Sequence, residues 1–127
     1  MAIPAENSHV RLTVPAKPEY VLLGRLALSG VGRLSALDPG EVDDFKLAVT
    51  EAANAFVGNG SLDGCEPGTR LSFDFSLGEN TLSAEVSCPG GPNLTEKEQS
   101  LGQAIIDATV DMVERDDVTI RLIKHAG

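Results

Sequence analysis

Several residue types that identify common classes of protein are scarce in this sequence. It has no Trp, and aromatic residues make up only 4% of its 127 residues. It has 10 Lys and Arg against 19 Asp and Glu, which gives a formal net charge of −9 with His neutral. Since the few basic residues are scattered along the chain, we expect neither a nucleic-acid surface nor a polybasic membrane contact.

Cysteine and long apolar runs are scarce as well. Cys65 and Cys88 are too few, and too far from any pair of His residues, to indicate a metal site or a disulfide framework, so we expect two thiols in a reducing compartment. No apolar run approaches the roughly 20 residues that span a bilayer. Residues 1–6 lack the charged, apolar and small-residue regions of a signal peptide. Together these features predict a cytoplasmic protein.

The sequence has enough apolar residues for one core, which must be mainly aliphatic. Apolar residues make up 42% of the chain and no break in composition divides it, so we expect a single domain over residues 1–127. Alternating apolar residues predict strands at 9–14, 70–77, 82–86 and 118–122. Apolar residues at spacings of three and four predict helices over 18–37, 38–58 and 101–112.

The order of these elements predicts an α/β two-layer sandwich of the α+β type, with three helices on one face of a four-stranded, mainly antiparallel sheet. The second and third strands form a hairpin around Gly78-Glu79-Asn80. The side chains that we expect in the core are Leu26, Phe45, Val49, Phe73, Phe75 and Ile105.

Three segments of the sequence resemble one protein family. They are VPAKPEYV at 14–21, RLALSGV at 25–31 and EVDDFKLAVTEA at 41–52. The chain is similar over nearly its whole length to the bacterial anti-sigma-factor serine/threonine-protein kinases, which have a histidine-kinase-like (GHKL) ATPase domain. The resemblance implies ATP and Mg²⁺ as cofactors, a sigma factor and an antagonist protein as partners, a homodimer, and a role in transcription regulation and stress response.

The first site motif of that family lies on the second helix. It pairs a Glu, the base that takes a proton from the substrate serine, with an Asn four residues later that holds Mg²⁺ against the phosphates. Glu51 matches the base, but Ala55 stands at the position of the Asn. Asn54 is three residues from Glu51 and therefore also lies on a neighbouring part of the helix surface. The resemblance makes Asn54 a candidate Mg²⁺ ligand.

The other two motifs surround the nucleotide. In the family, an Asp-x-Gly turn after a strand selects adenine; here Gly90 matches the glycine, while Cys88 replaces the carboxylate acceptor. A turn with two glycines at the start of the last helix holds the phosphates, and Gly102 is the one glycine of that turn present here. Asn54, Cys88, Gly90 and Gly102 are thus the candidate ATP-site residues, in an altered nucleotide site.

Two functions remain open at this point. The first is a regulatory module that binds a sigma factor or an antagonist protein with weakened or lost ATP binding, because losing two charged or metal contacts moves affinity from micromolar toward millimolar. The second is an active serine kinase with Glu51 as base and Asn54 on Mg²⁺. A small sandwich unrelated to either is the remaining alternative. Nucleotide binding discriminates between the first two.

Overall fold

A computed structural model describes residues 8–58, 67–92 and 96–127. Five strands and three helices follow one another along this part of the chain. They are β1 (Ser8–Pro15), α1 (Val21–Leu34), α2 (Pro39–Val57), β2 (Arg70–Leu77), β3 (Thr81–Ser87), α3 (Glu96–Thr109), β4 (Met112–Arg115) and β5 (Thr119–His125), with a 3₁₀ turn at Pro18–Tyr20 before α1.

The strands form one antiparallel sheet in the order β1-β2-β3-β5-β4, with the β2–β3 hairpin at its centre. Along β2 and β3, buried residues alternate strictly with half-buried or exposed ones, as the sequence pattern predicts. The three helices supply the apolar surface that covers this side of the sheet. The two-layer α+β sandwich is therefore confirmed.

The number of strands is five, and the prediction of four was wrong. The third helix was expected over 101–112, but α3 begins at Glu96 and ends at Thr109, and Met112 begins β4. The N–H of Asp111 donates to the carbonyl of Ile123 at 3.0 Å, so the chain reverses there to pair with β5. Met112 lies four residues after Ala108, a spacing that fits a helix as well as the start of a strand.

The face of α1 was also predicted wrongly. The helix buries Val21, Gly24, Leu28, Val31 and Gly32. Leu26 was expected in the core, yet it is 58% exposed. The reason is that α1 packs through its glycines: a Cβ built on Gly24 would lie 2.5 Å from Cζ of Phe73. The side of the helix with the smallest residues, and not the side richest in leucine, therefore approaches the sheet.

The remaining core predictions hold with one exception. The side chains confirmed as buried are Phe45, Val49, Phe73 and Phe75. Ile105 is only half-buried, and its neighbour Ile106, 2% exposed, takes the core position. Since adjacent residues of a helix lie about 100° apart, this is a rotation of α3 by one residue relative to the expectation.

The second helix has the ends that the sequence predicts. The Asp38 side chain accepts a hydrogen bond from the N–H of Glu41 at 2.8 Å, and Oε1 of Glu41 accepts one from the N–H of Asp38 at 2.9 Å. This capping box, with Pro39 in the first turn, fixes where α2 starts. Gly58 ends the helix with φ of 75°. The position of Glu51 within α2 is thereby set.

The outer face of the sheet carries a row of charged residues that are cross-strand neighbours, Arg11, Asp74, Glu85, Arg121 and Glu114. Nη2 of Arg11 lies 2.8 Å from Oδ2 of Asp74, and Nδ1 of His9 lies 3.3 Å from Oδ1. Burial raises the pKa of Asp74, but the hydrogen bonds and positive charges of Arg11 and His9 outweigh it, so this pKa lies below its ordinary value.

Within the described residues, no helix combines the length and the apolar character needed to cross a membrane. Cys88 is buried and takes no part in a disulfide. Cys65, the other expected thiol, is outside the described residues.

Candidate functional site

A cleft opens between α2, α3 and the turn that joins β4 to β5. It holds about 440 Å³, including the solvent at its mouth. Its lining is Glu51 and Ala55 from α2, Gln99, Gly102, Gln103 and Ile106 from α3, and Pro92, Arg115, Asp116 and Ile120. Two of the expected site residues, Glu51 and Gly102, are thus brought together here.

Glu51 projects from α2 toward α3. Its Oε1 lies 3.4 Å from the point where a Cβ on Gly102 would stand, so the carboxylate is within van der Waals range of α3 at this glycine. Glu51 is half-buried, and within the described residues its carboxylate has no hydrogen-bond or ion-pair partner. An unpaired carboxylate at the wall of a cleft is available to accept a proton or to bind a donor from a ligand.

The position one helical turn after Glu51 also faces the cleft, and it is occupied by Ala55. Asn54 is half-buried but is not among the described residues that line the cleft. The side chain that α2 presents to the cleft one turn after Glu51 is therefore a methyl group, which offers no oxygen to a metal ion. At this position the donor set does not fit Mg²⁺.

Cys88 lies in the turn that follows β3 and is 0% exposed. Its N–H donates to the carbonyl of Val118 at 3.0 Å, and its own carbonyl accepts from the N–H of Gly91 at 3.2 Å. With Pro89 second and Gly90 third, at φ of 94°, these four residues have the features of a type II turn. Cys88 is not among the described residues that line the cleft. Its thiol is also a poor substitute for a carboxylate acceptor.

Gly90 was the glycine expected in the site, but its neighbour Gly91 is the one that packs tightly against another part of the chain. A Cβ built on Gly91 would lie 2.5 Å from the carbonyl oxygen of Asp117, whereas one on Gly90 would meet nothing within 4 Å. The turn that follows β3 therefore packs directly against the turn that joins β4 to β5. Gly90 is required by its backbone conformation alone.

Gly102 was expected near the start of the last helix, where free N–H groups can hold phosphates. Because α3 begins at Glu96, Gly102 is in the second turn of the helix. Only the first four N–H groups of a helix lack a partner within it. The N–H of Gly102 is therefore bonded within the helix and is not one of the free groups.

Arg115 and Asp116 line the cleft and were not predicted from the sequence. Nη2 of Arg115 lies 3.6 Å from Oδ1 of Asp107 on α3. Oδ1 of Asp116 accepts hydrogen bonds from the N–H groups of Val118 and Thr119, at 3.0 and 2.9 Å. The signal for this turn is the Asp116-Asp117 pair, since an Asp side chain readily accepts from N–H groups two or three residues later. It does not by itself indicate a cleft.

The electrostatic character of the cleft follows from these side chains. Glu51 and Asp116 contribute two carboxylates, whereas Arg115 contributes the one cation among the described lining residues, and it faces Asp107. The floor, formed by residues such as Ala55, Ile106 and Ile120, is apolar. Among the described lining residues α2 contributes no amide one turn after Glu51; the amides that line the cleft, Gln99 and Gln103, come from α3.

No protein-family model matches the chain. Individual proteins do. The chain is 31% identical over 119 residues to serine-protein kinase RsbW of Listeria innocua, which covers 93% of this chain and 74% of that protein. It is 30% identical over 117 residues to serine-protein kinase RsbW of Bacillus subtilis, with 91% of this chain and 72% of that protein covered. RsbW of Bacillus pumilus is 31% identical over 121 residues. On these relatives and on its fold, the chain belongs to the family of RsbW, the anti-sigma-factor serine-protein kinases.

Proposed function

We propose that this protein is a regulatory binding module of the anti-sigma-factor type, which binds a sigma factor, an antagonist protein or both, and whose ATP binding is weakened or lost. The observation that carries the proposal is the methyl group of Ala55, which faces the cleft one helical turn after Glu51. The burial of Cys88 at the position of the adenine acceptor supports it.

The expected loss of affinity follows from these two positions. A hydrogen bond to a charged group contributes about 1.5–3 kcal/mol, so losing the metal contact and the adenine contact removes roughly 3–6 kcal/mol. A micromolar site is then weakened by about two to four orders of magnitude, toward the millimolar range, since each 1.4 kcal/mol is a factor of ten. Binding of this strength leaves the protein largely without nucleotide in solution at micromolar ATP.

Protein binding is supported by the outer face of α1. Leu22, Leu23, Leu26 and Leu34 are between 41% and 74% exposed on this one helix. Exposed apolar side chains grouped on one element mark surfaces that contact other proteins. Such a module would act in the cytoplasm, as a single domain and as a homodimer.

A second candidate function, an active serine kinase, is favoured by one feature of the cleft. Glu51 keeps the carboxylate that would act as base, and it has no partner within the described residues that would hold it away from a substrate. In that function Asn54 would bind Mg²⁺ after a change of rotamer, and Gly90 and Gly102 would line the nucleotide.

The test is thermal unfolding with 1 mM Mg·ATP, followed by a phosphorylation assay. A ligand at a hundred times its Kd stabilises the fold by about 2.7 kcal/mol and raises the melting temperature visibly. We expect no appreciable shift and no labelling of antagonist proteins from the source bacterium. A magnesium-dependent shift together with a phosphoserine product would establish the kinase function instead.

Partner binding is tested separately by co-expressing the chain with each sigma factor and each antagonist protein of the same bacterium. We expect one of them to co-purify without added nucleotide. If none forms a complex, with or without ATP, the proposal of a binding module is wrong.

A further inference from the structure

We propose that the cleft between α2 and α3 accepts an aliphatic side chain that ends in a cation, a Lys or Arg of the protein partner, with the cationic group on Glu51. This inference rests on the proposed function, because it assumes that the chain binds a protein. It replaces the nucleotide by a different chemical class of ligand in the same cleft.

The floor of the cleft suits an aliphatic stem. Ile106 and Ile120 are 2% and 6% exposed, and Ala55 and Gly102 add no polar group beside them. Lys and Arg side chains bury their methylene stems against apolar surface while the charged end reaches a polar group. A narrow apolar floor with a polar rim therefore fits such a stem better than it fits a ribose and a chain of phosphates.

The wall of the cleft suits a cation. The Glu51 carboxylate is half-buried, faces the cleft and has no partner within the described residues. Arg115, the cation at the rim, is directed to Asp107 at 3.6 Å and does not neutralise it. Opposite charges attract more strongly in a partly dehydrated cleft than in water, and like charges repel more strongly. A cation is therefore attracted to this wall of the cleft, whereas a phosphate is repelled by it.

The occupant belongs to a protein because an exposed apolar side chain extends the surface next to the cleft. Leu101 precedes Gly102 in α3 and is 67% exposed. A peptide segment with one basic residue in the cleft can cover such a side chain with its flanking residues. The chain as a whole has a net charge of −9, which favours association with a basic segment.

The experiment uses the full chain and three probes that share an aliphatic tail: hexylammonium, hexanol and hexanoate. Binding is followed by the amide signals of Gly102 and Ile106 in two-dimensional NMR. We expect saturable, millimolar binding of hexylammonium, at least fivefold tighter than that of hexanol, and no saturation with hexanoate. Equal binding of hexanoate would overturn the proposal. It would mean that the N-terminal N–H groups of α3 attract an anion more strongly than the carboxylates of the cleft repel it.

Two variants locate the interaction. Glu51→Gln should weaken hexylammonium at least fivefold and leave hexanol unchanged, whereas Glu79→Gln, in the β2–β3 turn at the other end of β3, should change neither. Ala55→Leu fills the cleft from the same wall and should abolish binding of both probes. Unchanged hexylammonium binding by Glu51→Gln would reject the role of that carboxylate.

A second experiment tests whether the cation can be the side chain of a protein. The blocked tripeptide Ac-Ala-Lys-Ala-amide should shift the same signals and compete with hexylammonium, and the same tripeptide with Glu in place of Lys should not. If hexylammonium binds but the Lys tripeptide does not compete, a protein side chain is not the occupant. Failure of both probes, with a sigma factor still co-purifying, would reject the cleft while leaving the proposed function intact.

Discussion

Replacing Gly24 by Ala tests how closely α1 approaches the sheet. A Cβ at this position would lie 2.5, 2.6 and 2.8 Å from Cζ, Cε1 and Cε2 of Phe73. Carbon atoms in contact prefer separations of about 3.5–4.0 Å, so the helix or the ring must move. The ring is 0% exposed, and its centroid lies 6.1 Å from that of Phe75 in a stacked arrangement. Any movement of the ring is therefore a movement within the buried core.

The magnitude comes from two opposing effects. Ala gains about 1 kcal/mol over Gly in helix propensity, whereas overpacking a closed core costs roughly 1–3 kcal/mol. Gly24→Ala should therefore lower the free energy of unfolding by up to about 2 kcal/mol. Gly30 lies on the same helix and a Cβ there meets nothing within 4 Å. Gly30→Ala should consequently raise the free energy of unfolding by about 0.5–1 kcal/mol.

The assay is equilibrium unfolding in urea of the parent and both variants. The propensity gain is common to both variants, so their difference, about 1–3 kcal/mol, reports the contact with Phe73 alone. Phe73→Leu in the Gly24→Ala background should recover part of the loss, as a favourable coupling in a double-mutant cycle. If Gly24→Ala stabilises the protein as much as Gly30→Ala does, the orientation of α1 described above is wrong.

Three further changes test other parts of the molecule. Leu28→Ala should cost about 2–5 kcal/mol in urea unfolding and Leu26→Ala under about 0.5, because these residues are 0% and 58% exposed; similar losses would contradict the assigned face of α1. The lowered pKa of Asp74 stabilises the fold above the ordinary value of 3.8, and this contribution disappears as the pH falls through the folded-state pKa. Asp74→Asn should therefore cost under about 1 kcal/mol at pH 7, and its difference from the parent should shrink as the pH falls below 3.8 and through the lower folded-state pKa. Cys88→Asp with Ala55→Asn should raise ATP affinity by about two or more orders of magnitude in calorimetry, since each regained contact contributes roughly 1.5–3 kcal/mol; a folded double variant that binds ATP no better would reject both correspondences.

Strands with strict alternation were predictable because their signal is local. The β2–β3 hairpin shows this, since every second residue from Leu71 to Leu77 is buried, and the turn at Gly78-Glu79-Asn80 follows directly. The capping box of α2 is equally local, since Asp38 and Glu41 lie within one turn. In both cases the residues that determine the structure are neighbours in the sequence.

The face of α1 was not predictable from the leucines, because apolar residues lie all around this helix. Gly24, Leu28, Val31 and Gly32 repeat at helical spacing, and so does the exposed set that includes Leu23, Leu26 and Leu34. Hydrophobicity favours the second set, while close packing favours the first. Which of them faces the sheet depends on Phe73 and Val42, whose positions come from distant parts of the chain.

Strand β4 was missed for a related reason. It contains only four residues, of which only Val113 is partly covered, so it shows almost no alternation. Its existence depends on pairing with β5, in which Val113 lies opposite Leu122. A strand this short is stabilised by its partner and not by its own sequence.

The site shows the same division between local and distant information. The relation between Glu51 and Ala55 is set by the pitch of one helix, and the sequence was sufficient to see it. The role of Gly102 could not be predicted from the sequence, because it depends on where α3 begins and on which residue faces it from α2. In the structure this glycine is inside the helix and faces Glu51 across the contact between α2 and α3. A Cβ at this position would lie 3.4 Å from Oε1 of Glu51, an ordinary van der Waals distance, so packing alone does not require a glycine here. The N–H of Gly102 lies beyond the first four N–H groups of α3, so it is not free to hold a phosphate. We expect the side chains at Ala55 and Cys88 to discriminate between a kinase and a binding module.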